Sequence, residues 1–123
     1  MGKRLIRSWL EHPLMNISTI NNRQSAVEEL VKDTVLRLEL TENLSGIFDI
    51  DRLMTKIVYG SANARDLRSL CSAIKDLPMI SSLLSSCKAS HLKLIYKNID
   101  LLEDIHSLID NAVVDQPPFT IRE

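Results

Sequence analysis

Three histidines and two cysteines carry most of the metal or nucleophile chemistry that this 123-residue chain could perform. A metal site needs such side chains one helical turn or one short loop apart. His12, His91 and His106 instead lie on separate segments, and Cys71 and Cys87 stand too far apart to suggest a zinc pair. Asp104 and Asp110 flank His106, which reads as a surface ion pair. Cys71 falls on an apolar helix face, where a free thiol behaves as a small hydrophobe. Serines are abundant, but they occupy helix caps and polar faces, where a hydroxyl needs no catalytic role. Three glycines cannot build a phosphate cradle, and neither G-x-x-x-x-G-K-[ST] nor G-x-G-x-x-G occurs. The expectation is no catalytic, metal or cofactor site and no enzyme in these residues.

The elements that would position any site are read as helices. Aromatic residues make up 4% of the chain, glycine is rare, and no sustained alternation of apolar and polar residues appears, which argues against strands. With 45% hydrophobic residues, one packed core is within reach without metals or disulfides. A net charge of −1 gives no global footprint for nucleic acid. Lys3, Arg4 and Arg7 cluster, as do Lys88, Lys93 and Lys97, but without interleaved aromatics they read as solvated helix faces. No signal-peptide core and no apolar run near ~18 residues is found, so a cytoplasmic protein with reduced cysteines and no membrane partner is expected.

The passage Ser45–Leu70 reads as a complete helix, turn and helix. Asp49 can cap the first helix, along which Ile50, Leu53, Met54, Ile57 and Val58 follow at helical spacing. Gly60 is placed to end it in the left-handed conformation, and Asn63 to cap the next helix, whose stripe is Leu67, Leu70, Cys71, Ile74 and Leu77. Asp66 favours that helix start. Arg65 does not, because a cation in the first turn meets the positive end of the helix dipole. Its expected partners are the orphan carbonyls of Ile57 to Tyr59.

Before this hairpin, a helix from Arg4 to Glu11 carries Leu5, Ile6, Trp9 and Leu10 on one face and is ended by Pro13. Trp9 reads as a core anchor. Asn16 or Ser18 can cap a second helix with Ile20, Val27, Leu30 and Val31 inward, and Thr34 restarts the chain toward the row Leu36, Leu40 and Leu44. After the hairpin, Pro78 suits a short helix with Ile80, Leu83 and Leu84 inward. Leu92, Ile95 and Ile99 form the next apolar side. Asp100 offers a cap for the stripe Leu101, Leu102, Ile105, Leu108, Ile109 and Ala112. The reading is an all-α bundle of about seven helices with short loops over residues 1–116, and an extended tail over 117–123 beginning at Pro117-Pro118.

These words also resemble a family. The helix Asp49-Ile50-Asp51-Arg52-Leu53 that ends at Gly60, with a polar turn and Arg65-Asp66-Leu67, is similar to the first part of the core, or lever, domain (domain III) of the bacterial MutS family of DNA mismatch-repair ATPases. Met1-Gly2-Lys3-Arg4-Leu5 through Trp9-Leu10, with Pro13-Leu14, resembles that family's entry helix, and Ile20-Asn21 through Arg23 to Leu30 its next one. Asp115-x-Pro117-Pro118, followed by Ile121-Arg122-Glu123, resembles its D-x-P-P segment and the start of I-R-E-G-G. Asn63-Ala64 departs from the pattern, standing where members often have a residue followed by proline.

The resemblance implies a mechanical part that links an ATPase domain to a clamp around DNA. Mismatch reading would belong to an N-terminal domain and hydrolysis to a C-terminal one. ATP and Mg would then be held by the parent alone, and mismatched DNA would be a partner only through it. The resemblance also implies further lever helices, before Met1 and after a clamp insertion that follows Glu123, and without them the fragment is expected to self-associate as a homodimer through stripes such as Leu5, Ile6 and Trp9, or Leu101, Ile105, Leu108 and Ile109. The competing reading is a free-standing module that docks a partner helix on Leu36, Leu40 and Leu44. A small helical enzyme or metal protein is a further rival, lacking any convergent polar cluster.

Overall fold

Residues 2–118 are described by a computed structural model of the chain. Among the described residues there are eight helices and no strand: α1 (Lys3–Glu11), α2 (Ile17–Lys32), α3 (Thr34–Ser45), α4 (Ile50–Val58), α5 (Ala64–Lys75), α6 (Leu77–Ser85), α7 (Ser90–Asn98) and α8 (Glu103–Ala112). The class is all-α, as the composition indicates. The eight helices correspond to the stretches the sequence marks out one by one, one more than the figure of about seven. Leu102 takes a left-handed φ of 52°, and Asp100 accepts its N–H at 3.0 Å without capping α8 itself.

The chain divides into two compact units. Unit 1 comprises the residues up to Leu44 together with Ile80–Ile99, and unit 2 comprises Ser45–Met79 together with the residues from Asp100 onward.

In unit 1, α2 packs on α7. Ala26 is buried on α2 and Leu92 on α7, the small residue allowing close approach of the backbones. The start of α7 has Ala89 at the cap position and no side-chain cap of its own. Glu29 of α2 supplies one: its two carboxylate oxygens accept from Lys88 N at 2.7 Å and Ala89 N at 2.6 Å. The break between α2 and α3 is held by similar chemistry. Asp33 accepts from Leu36 N at 2.9 Å, while Arg37 Nη1 donates to the carbonyls of Leu30 and Val31, each at 2.9 Å. Those carbonyls are orphans at the end of α2, and a guanidinium satisfies them.

Unit 2 is built around α5, which packs against both α8 and α4. Its core is Leu53 from α4, Leu70, Cys71 and Ile74 from α5, and Ile109 from α8. Ile50, Ile57, Leu67, Leu77, Leu102 and Val113 pack around these. The expected α5 stripe is therefore the inward one.

Several apolar positions differ from the reading of the sequence. α1 has no buried residue, and Trp9 is 37% exposed. Val27 and Val31 on α2 and Ile95 on α7 are exposed, while Ala26 takes the packed position on α2 and Leu92, on the expected side of α7, is buried. A helix of moderate apolarity offers more than one stripe, and the neighbour decides which is covered. On α8, Leu108 faces outward but Ile109 is in the core, so the expected outward stripe is split. Leu36 and Leu40 are each 8% exposed, so they form packed interior and no free docking row.

Candidate functional site

The α4–α5 hairpin carries Asp49, Arg52, Gly60, Arg65 and Asp66. Asp49 accepts from the backbone N–H of Arg52 at 3.2 Å, closing the first turn of α4, with the Arg52 side chain exposed. At the other end of α4, Gly60 has φ +67°. Its N–H donates to Ile57 O at 3.0 Å, and Ser61 N donates to Lys56 O at 2.9 Å. This pair of backbone bonds is the Schellman closure, which the left-handed glycine makes possible.

At the start of α5, Asn63 accepts from Asp66 N at 2.9 Å, and Asp66 accepts from Asn63 N at 3.1 Å. Two free N–H groups are thus satisfied reciprocally in a capping box. Lys56 from the last turn of α4 donates to Asp66 at 2.7 Å. That hydrogen bond, together with the one from the Asn63 backbone, holds the Asp66 carboxyl below the usual carboxylate range.

Arg65 is placed differently from expectation. Of the carbonyls expected to receive it, that of Ile57 is already engaged by the Gly60 N–H. Arg65 Nε instead donates to Pro117 O at 3.1 Å. Arg68, one turn further along α5, pairs with Asp110 at 2.8 Å and with Asp115. The hydrogen bond from Arg68 lowers the Asp110 pKa, so Asp110 serves Arg68 and the expected ion pair at His106 is not its main contact. Pro117, read in the sequence as the first residue of an extended tail, is buried. Residues 119–123, including Ile121, Arg122 and Glu123 of the family resemblance, and Met1 lie outside the described residues.

Trp9 and Pro13 lie in unit 1. α1 ends at Glu11, and His12, with φ −127° and ψ 74°, has left helical geometry ahead of Pro13. The Arg23 guanidinium lies 3.6 Å from the Trp9 ring centroid. Trp9 therefore has a cation stacked on its face in place of a buried core position. With Pro13, Leu14, Ile20, Val27 and Val31 it lines an open apolar groove of about 570 Å³.

Among the described residues no group of three His, Cys, Asp or Glu side chains is placed to hold a metal ion. Cys71 and Cys87 are free and buried, and burial, with Glu29 and Asp33 nearby, pushes the Cys87 thiol up, away from its reactive thiolate form. No described helix is long and apolar enough to cross a membrane. The caps contributed by Glu29 and Arg37 were missed in the sequence. Arg37, in the first turn of α3, carries the same signal that drew attention to Arg65.

Comparison with known proteins places this arrangement. The family model for MutS domain III matches residues 1–123. The DNA mismatch repair protein MutS of Acetivibrio thermocellus is 43% identical over 123 residues, covering 100% of this chain and 14% of that protein. The proteins of the same name from Alkaliphilus oremlandii and Caldicellulosiruptor saccharolyticus are each 44% identical over the same 123 residues, again 100% of this chain and 14% of each protein. The chain thus spans about one seventh of the length of these curated relatives.

Proposed function

The chain belongs to the MutS domain III family, and from that premise we propose that it is a coupling element in a DNA mismatch-repair ATPase. Its helices link the movement of a nucleotide-hydrolysing domain to that of a clamp on DNA, and they neither read the mismatch nor hydrolyse ATP themselves. ATP and Mg bind elsewhere in the parent, mismatched DNA is met only by the intact protein, and the setting is the cytoplasm.

The observation that carries this reading is the α4–α5 hairpin. The Schellman turn closes α4, the capping box closes the start of α5, and the Lys56–Asp66 pair ties the end of the one helix to the start of the other. Rigid elements with fixed ends are what a mechanical coupler requires. Such a fold gives no activity by itself, and in this family the function belongs to the assembly. The partners are therefore the remaining domains of the parent chain.

The test uses the 123-residue chain alone. Gel shifts with matched and mismatched duplex, and a phosphate-release assay with ATP and Mg, are expected to show no mismatch preference and no turnover. Mismatch-selective binding that resists salt, or phosphate release above a buffer control, would assign recognition or hydrolysis to these residues and overturn the reading.

A further inference from the structure

Two arginines of α5 act on the same stretch of chain. Arg65 and Arg68 are three residues apart and so lie side by side on the helix surface. Arg65 Nε donates to Pro117 O at 3.1 Å. Arg68 divides its guanidinium, Nη1 donating to Asp110 on α8 at 2.8 Å and Nη2 to Asp115 beyond the end of α8. Between these anchors the backbone turns extended at Val113, whose side chain packs on the unit 2 core. Pro117 is buried although the helix has ended at Ala112.

The chemistry of the segment fits this attachment. Prolines at 117 and 118 have no N–H, so they cannot be tied down as donors, and they favour a stiff extended chain. The groups the arginines take are the carbonyl of Pro117 and the carboxylate of Asp115. An isolated exposed ion pair contributes little. Arg68 has a side chain only 20% exposed, and its planar fork serves two carboxylates at once, those of Asp110 and Asp115 being 52% and 87% exposed.

We propose that Arg65 and Arg68 form a latch that fastens residues 113–118 along α5 and fixes the course of the chain after α8. The latch rests on this geometry alone. On the coupling function proposed above, it is also the joint that ties residues 113–118 to any displacement of α5.

Backbone 15N relaxation on the 123-residue chain tests it. Order parameters at Val114, Asp115 and Gln116 are expected near the rigid value of about 0.85, falling below about 0.6 in Arg65→Ala and in Arg68→Ala while α5 and α8 stay rigid. Asp115→Ala, at an exposed position that cannot threaten the fold, is expected to loosen the same three residues. In the Arg68→Ala background it adds nothing, because its partner is already gone. Unchanged order in Arg65→Ala and Asp115→Ala overturns the latch, and so does an Asp115→Ala effect that persists without Arg68. The readout is local order, with no DNA or nucleotide present, so its failure leaves the coupling proposal standing, and failure of that proposal leaves the latch.

Discussion

At the scale of single residues, what could be read in advance was what acts within four positions of itself. Asp49, Asn63 and Gly60 each close a helix end through neighbours in the chain, so their roles follow from residue type and spacing. Gly60 gives the first prediction. Its φ of +67° costs any residue with a Cβ about 1–2 kcal/mol, although open space surrounds the position, so Gly60→Ala is expected to destabilise by that amount and Gly60→Asn by less. Urea melts compare them, and equal stability of the alanine form and the parent chain would remove the left-handed closure from the account. Glu29 gives the second. It caps α7 from 59 and 60 residues away, a pairing no local pattern announces. Glu29→Ala is expected to cost about 1–2 kcal/mol, with amide exchange at Lys88 and Ala89 rising before that of α2. Arg65 was legible as a cation needing a partner, but the partner lies 52 residues on, so the nearby carbonyls were the wrong choice.

At the scale of elements, the helices followed from apolar spacing, but the face each one buries did not. Trp9, Val27 and Val31 sit on legible stripes that no described neighbour fully covers, because a stripe records which surface must be buried somewhere and is silent about by what. The α4–α5 hairpin was the most completely written element, and its electrostatics can be followed by pH. Asp66 is held below its ordinary pKa by the Lys56 hydrogen bond and then by the Asn63 backbone, and Asp110 chiefly by the Arg68 hydrogen bond. For both, the folded value lies below the unfolded one, near about 4. Their stabilisation is therefore fully present above about pH 4 and is lost as pH falls through the depressed folded values. Denaturant melts between neutral pH and about pH 3 are expected to show stability falling on the acid side, and the combined Asp66→Asn, Asp110→Asn variant to fall less steeply. An identical acid slope in that variant would place the acid sensitivity elsewhere.

At the scale of the molecule, each unit leaves apolar surface open. In unit 1 the α1 residues Leu5, Ile6 and Leu10 and the groove lined by Trp9 are exposed, and in unit 2 Val58 and Leu108 are among those outside the core. Exposed apolar patches of this kind favour association, and light scattering over a concentration series of the isolated chain is expected to show mass rising toward a dimer. A strict monomer throughout would show that the open surface is tolerated. The central claim, that these helices couple movements made elsewhere, is tested most directly in an intact MutS relative carrying this domain. The measurement is ATP turnover with and without mismatched duplex after the hairpin is weakened by Asn63→Ala and Asp66→Ala. The account predicts that turnover without DNA is kept while its response to mismatched duplex is lost. An unchanged response from a folded protein with the hairpin opened would contradict it.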